Sequence, residues 1–232
     1  TVKAFYTTRN GGFSKHPYSG FNLADHVGDN PNLVKQNRKF LIQEIECDIV
    51  WLKQAHSNKV FDIDSISKQE SVDSILDLPV ADSSITTQMR RCSVVMTADC
   101  LPILVSSQEG TLVGSIHCGW KGLSNKIISV FFESFFNKLY HLKKSIGNGV
   151  YVWLGPCISQ EFYAVGPELE EQFTRSKPKY KTAFKVFEKQ IFMDIRHIAQ
   201  HQIKEVLELY KVKGVLNSNS MCTYRNKNLF FS

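Results

Sequence analysis

The chain has 232 residues, 43% hydrophobic, 12% aromatic and 22% charged, with a formal net charge of +6. This composition excludes a disordered or collagen-like chain, because the apolar content is enough to offset chain entropy. At this length a core forms without staples, so we expect one domain over residues 1–232. The excess charge is local. Between Arg175 and Lys213 ten Lys/Arg face four acids, which leaves the rest of the chain neutral. No apolar run is long enough for a membrane span, and Thr1–Tyr6 lacks a basic-then-apolar leader pattern. Six widely spaced cysteines do not read as a secreted disulfide framework, so we expect a cytoplasmic protein with free thiols.

In chain order, residues 2–8 read as a strand, broken by the turn Arg9-Asn10-Gly11-Gly12. Asn30-Pro31 starts a helix that runs to about Cys47, with Val34, Leu41 and Ile45 on one face. Residues 49–53 and 59–63 read as strands, followed by strands at 81–87, 93–97, 103–106 and 111–117. A helix is expected from Leu123 to Leu142 and a strand over 150–154. Gly166-Pro167 opens a short helix to about Phe173. A longer helix spans Asp194 to Tyr210, with Ile195, Ile198, Ala199, Val206 and Leu209 inward. Late strands are expected over 215–217 and 228–231. Strands outnumber helices without regular alternation. That predicts an α+β or layered α/β fold, with helices outside mixed β-sheets.

Three segments could carry chemistry. In Gly114-Ser115-Ile116-His117-Cys118-Gly119-Trp120-Lys121-Gly122 a strand ends at His117, and a glycine turn leads to a helix. Alternation points His117 and Cys118 to opposite faces, so only one of them can enter a given cleft. The glycines let backbone N–H groups approach a ligand, and the helix start attracts an anion. A plain strand–turn–helix joint would use the same glycines to relieve crowding. In Thr97-Ala98-Asp99-Cys100-Leu101-Pro102, Pro102 interrupts a simple ladder and can turn Cys100 out of the sheet; a buried structural cysteine is the alternative. His56, in Gln54-Ala55-His56-Ser57, sits in a polar turn where a surface histidine would be unremarked.

Together His56, Cys100 and His117 suit zinc, with three protein ligands and an open position, although their spacing matches no short metal motif. The same residues could form a metal-free Cys–His nucleophile–base pair. His197 and His201 are four apart, but position 198 is Ile where a zinc-protease helix needs Glu. With Lys204 and Glu208 they read as a solvated stripe. No phosphate-binding glycine loop of the Walker or dinucleotide type is present.

These segments, with Thr7-Thr8-Arg9-Asn10-Gly11-Gly12-Phe13-Ser14, Phe21-Asn22-Leu23, Val27-Gly28-Asp29, Asn37-Arg38, Ala81-Asp82, Gly155-Pro156-Cys157-Ile158 and Cys222-Thr223-Tyr224, give the chain a family resemblance over nearly its whole length. It resembles the laccase-domain, or YfiH-like, purine nucleoside phosphorylase and polyphenol oxidase family. The resemblance implies a layered α/β fold related to cysteine hydrolases. It implies zinc at His56, Cys100 and His117 as the catalytic group, with copper as the second candidate metal. It implies substrate contacts near Arg9, Asn22 and Arg38, to which we add Gly119 and Trp120 from the turn. The implied activities are phosphorolysis of adenosine, inosine, guanosine and methylthioadenosine, and deamination of adenosine; bacterial members are also linked to peptidoglycan editing. Cys118 and Lys121 depart from the family, which more often has a small residue and Arg there.

The expected function is therefore zinc-dependent purine nucleoside chemistry with a nucleoside and phosphate as partners, in a monomer or homodimer. The alternative is a Cys100–His117 hydrolase acting on an amide of a peptidoglycan precursor. A copper polyphenol oxidase ranks lower, since seven histidines with no His-x-His pair are too few for a multicopper set. A nucleic-acid-binding protein ranks lower too. The basic stretch offers only Tyr180, Phe184 and Phe187 as interleaved aromatics, and we expect neither a nucleic-acid nor a membrane partner.

Overall fold

A computed structural model describes residues 1–66, 78–144 and 149–232, with only the backbone of Ser176. Its centre is β5 (Leu101–Ser107) against β6 (Val113–Cys118), antiparallel, with Pro102 opposite His117. Proline has no N–H for the ladder, and on the other edge of β6 the His117 N–H donates to Asp82 O at 2.7 Å. Beside β6 runs β3 (Ser83–Thr86), antiparallel, and then β2 (Val60–Asp62), parallel. Beside β5 run β7 (Val150–Leu154), antiparallel, and β11 (Gly214–Ser218), parallel to β7. The six strands form one mixed sheet in the order β11-β7-β5-β6-β3-β2.

One face of this sheet is covered by α3 (Ile127–His141) and α5 (Ile195–Leu209). Phe131, Phe132, Phe135 and Phe136 of α3 lie in the main core. Gly114 of β6 is glycine because a Cβ there would stand 2.6 Å from the Phe131 ring. The opposite face meets β1 (Asp48–Val50) and β4 (Arg91–Ser93), a parallel pair. Contact there is polar: Ser93 Oγ lies 2.7 Å from both Ser84 Oγ and Ser115 Oγ. A second core of Phe21, Leu41, Ile49 and Trp51 lies under α1 (Pro31–Ile45). Among the described residues the other α-helices are the single turn α2 (Trp120–Ser124) and α4 (Pro167–Ser176). A three-stranded antiparallel sheet, β8 (Ala164–Val165), β10 (Gln190–Met193) and β9 (Phe184–Phe187), completes the fold. Mixed sheets flanked by helices are thus observed as expected.

Helix starts follow their caps. Asn30 accepts from Asn32 N–H ahead of Pro31, and Asp194 accepts from His197 N–H at 2.9 Å. Several elements differ from the sequence expectation. Residues 2–8 are not in a strand; instead Tyr6 stacks on Trp153 at 5.7 Å. Residues 228–231 form turns, with Leu229 and Phe230 N–H both donating to Asn226 O. β4 ends at Ser93, because the Gln54 side chain takes the place of a strand partner for Met96, bonding both its N–H and its carbonyl. The helix expected from Leu123 to Leu142 is divided at Lys126, whose φ is 61°. Leu209 is 76% exposed, and Leu207 takes its place in the core. The β9–β10 hairpin was not expected, since Glu188 and Lys189 take the positive φ values of 46° and 65° without the usual Asn or Gly.

Four of the ten basic side chains of this stretch pair with acids within the fold. Lys177 and Lys179 both pair with Glu205, Lys181 with Glu170 and Arg175 with Glu171. Tyr180 and Phe184 are buried, leaving Phe187 as the exposed one of the three aromatics.

Candidate metal centre

β6 delivers His117 to the sheet face that carries Ser115, while Ile116 and Cys118 point into the main core under α3. The alternation expected from sequence is therefore realised. Burial pushes the Cys118 thiol well up and keeps it inert. Cys100 stands one residue before β5, turned by Asp99 at φ 75°. His56 lies on the loop beyond β1, itself at φ 55°. One ligand atom from each of His56, Cys100 and His117 lies within 4.8 Å of the others. Among the described residues this is the one such group of three or more His, Cys, Asp or Glu. Cys100 Sγ is 4.0 Å from His56 Nε2, and the two imidazoles meet edge to face at 4.7 Å between centroids.

A single buried carboxylate organises both histidines. Asp82 Oδ1 accepts from His56 N–H at 2.9 Å and stands 2.8 Å from His117 Nδ1. Asp82 Oδ2 accepts from the N–H groups of Ala55 and Ser57 and from Ser57 Oγ. Burial opposes the Asp82 charge, but the bonds from His117, Ser57 and the backbone outweigh it and hold the carboxyl well below the usual carboxylate range. Burial likewise opposes the His117 imidazolium; the Asp82 bond and Cys100 override it and lift that ring to about 9. His56 moves the other way. Burial and the positive neighbours His117, Lys121 and His26 push it below its ordinary value, against the pull of Asp82.

With its Nδ1 on Asp82, His117 presents Nε2 to the centre, the carboxylate–histidine arrangement of metal sites. Two imidazoles and one thiol form a donor set that fits a borderline-soft divalent ion. Gly119 lets His56 and Cys100 close up: a Cβ there would stand 3.0 Å from His56 Cδ2 and 3.1 Å from Cys100 Sγ.

The group opens onto a cleft of about 290 Å³ lined by His56, Asp99, Cys100, Trp120, Lys121, Ile158, Tyr163 and Ile195. Lys121 Nζ lies 5.5 Å from the Trp120 ring centroid. Burial, with Cys100 and Asp99 nearby, raises the Tyr163 phenol, so it stays protonated at neutral pH. Of the substrate contacts expected from sequence, Trp120 lines the cleft, and Gly119 stands against His56 and Cys100. Arg9, Asn22 and Arg38 direct their polar groups into the fold. Arg9 donates to Lys227 O and Ser19 O and covers the Phe231 ring at 4.5 Å. Asn22 holds its own loop through Ala24 and Asp29. Arg38 pairs with Asp25, donates to Leu23 O and lies 4.2 Å over Trp51, bracing the loop that carries His26. Asp82 was legible only as part of the family motif Ala81-Asp82, with no role attached to it; Tyr163 and Ile195 carried no site signal.

The profile of the family described as multi-copper polyphenol oxidoreductase laccase matches residues 3–232. The chain belongs to this family. A relative named purine nucleoside phosphorylase, from Haemophilus influenzae, is 31% identical over 100% of this chain and 88% of its own length. Purine nucleoside phosphorylase YfiH of Shigella flexneri is 32% identical over 100% of this chain and 87% of its own. The crystal structure of Neisseria meningitidis protein NMB0706 is similar with a TM-score of 0.82 and 30% identity, covering 97% of this chain and 85% of that one. Two vocabularies thus attach to this family's members, one of copper oxidation and one of nucleoside phosphorolysis.

Proposed function

We propose that this chain is a zinc-dependent purine nucleoside phosphorylase with His56, Cys100 and His117 as metal ligands and catalytic group. We further propose that it takes adenosine, inosine, guanosine and methylthioadenosine, and that it deaminates adenosine. The observation that carries this reading is the convergence of one thiol and two imidazoles within 4.8 Å at the floor of a cleft with aromatic walls. The names of the full-length relatives support the substrate class. Zinc at this position would supply an electrophilic centre with one coordination place left for substrate or water.

The chain's own groups supply the rest. Trp120, Ile158 and Ile195 offer a flat apolar wall for a purine. Lys121 places a cation in the cleft for phosphate, a role the one-turn helix α2 is too short to fill by its dipole. Tyr163 keeps its phenolic proton and can offer it as a hydrogen bond to the departing base. Asp82 holds His117 in one tautomer and fixes the His56 backbone.

A Cys100–His117 pair is within bonding reach, but the second imidazole of His56, 4.0 Å from Cys100 Sγ, makes a set of three donors gathered at one place, which favours an ion over a nucleophile with a single base. One three-residue donor group among the described residues is also too little for a multicopper cluster. The deciding experiment incubates the purified protein with adenosine, with and without phosphate. Adenine formed only with phosphate supports phosphorolysis, and inosine supports deamination. Absence of both products, with inactivation by thiol reagents but not by chelators on a peptidoglycan-precursor amide, would move the assignment to the hydrolase.

A further inference from the structure

His197 and His201 lie outside the centre just described. His197 is two residues past Ile195, so it leaves α5 on the side away from the cleft that Ile195 lines. One helical turn apart, the two side chains converge. Their Nε2 atoms are 3.1 Å apart, and the rings meet at 4.7 Å and 71°. Thr182 Oγ1 stands 2.9 Å from the same His197 Nε2. The placement is held from several sides. Asp194 caps the His197 backbone, and the Tyr180 ring lies 6.3 Å from that of His201. Both histidines are half-buried.

His201 Nε2 and Thr182 Oγ1 both reach His197 Nε2, and 3.1 Å between two ring nitrogens is a separation that two ligands of one ion can take. Rigid helix spacing means that little ordering remains to be done when an ion enters. Lys177 and Lys179 are drawn onto Glu205, which tempers the local positive charge.

We propose that His197 and His201, assisted by Thr182, form a second transition-metal site on α5, separate from the cleft. Imidazole donors without a thiolate select by the general affinity order, so this site takes Cu2+ ahead of Ni2+ and Zn2+. It gives copper a place on the chain that is independent of His56, Cys100 and His117. It is a lone ion between two ring nitrogens, with none of the further ligands that a multicopper cluster needs.

The test titrates zinc-loaded full-length protein with Cu2+ alone, followed by calorimetry and electron paramagnetic resonance, with Ni2+ as a redox-silent repeat. Expected is about one Cu2+ per chain beyond the zinc, with a nitrogen-coupled spectrum and weaker Ni2+ binding at the same place. His197→Ala and His201→Gln should each weaken it at least about ten-fold while zinc content and melting temperature stay unchanged. The proposal is overturned if the zinc-loaded protein takes up no further copper, if copper only displaces zinc, or if binding survives both substitutions.

Discussion

Asp82 Oδ1 stands 2.8 Å from His117 Nδ1, both side chains buried, and the same carboxylate receives the backbone N–H groups of residues 55, 56 and 57. One acid thereby sets the position of two histidines, His117 on β6 and His56 on the loop beyond β1. Asp82→Asn keeps the shape but removes the charge and turns an N–H pair toward donors. We expect zinc affinity to fall about 10–100-fold, measured by chelator competition. Unchanged affinity would mean that the carboxylate serves folding alone.

His56→Ala, Cys100→Ala and His117→Ala should each lose zinc and nucleoside turnover together. Metal analysis and product assay on the same preparation check this. Full turnover in a zinc-depleted variant would remove the metal from the reaction.

Gly119→Ala places a methyl group 3.0 Å from His56 Cδ2 and 3.1 Å from Cys100 Sγ. The ligands must part by a few tenths of an ångström, which costs about 1–2 kcal/mol as overpacking. We expect weaker zinc binding with a nearly native melting curve.

Lys121→Met preserves the stem beside Trp120 and removes the charge. The KM for phosphate should rise about ten-fold while that for the nucleoside changes little. A rise confined to the nucleoside would move Lys121 to the other substrate.

Asp64 governs acid stability away from the centre. Burial opposes its charge, but bonds from Lys138, Thr86 and Thr87 hold it at about 2 against an ordinary value of 3.8. Its contribution is therefore complete above about pH 4 and fades as pH falls toward 2. With part of the carboxylate open to solvent, we expect about 1–2 kcal/mol. Urea unfolding of Asp64→Asn against the parent should show that difference at pH 5 and a much smaller one near pH 2.

The chain order of residues by itself determined the local elements. Asn30 with Pro31 and Asp194 with His197 start their helices through caps a few residues long, and alternation along β6 sends His117 away from Cys118. Such signals are local, so a single sequence carries them. Only the tertiary structure decided that His56 and Cys100, 44 residues apart, meet His117. The antiparallel register of β3 on β6, with Ser83 opposite Ile116, brings Asp82 beside His117. That register depends on which faces the whole sheet buries, under the phenylalanines of α3 and over the serines facing β4, and no short window contains it. The same holds for the basic stretch. Its charge of +6 was legible as composition and the Arg175–Glu171 pair is local to α4, but the pairing of Lys181 with Glu170 and of Lys177 and Lys179 with Glu205 came from packing residues 177–181 against α4 and α5.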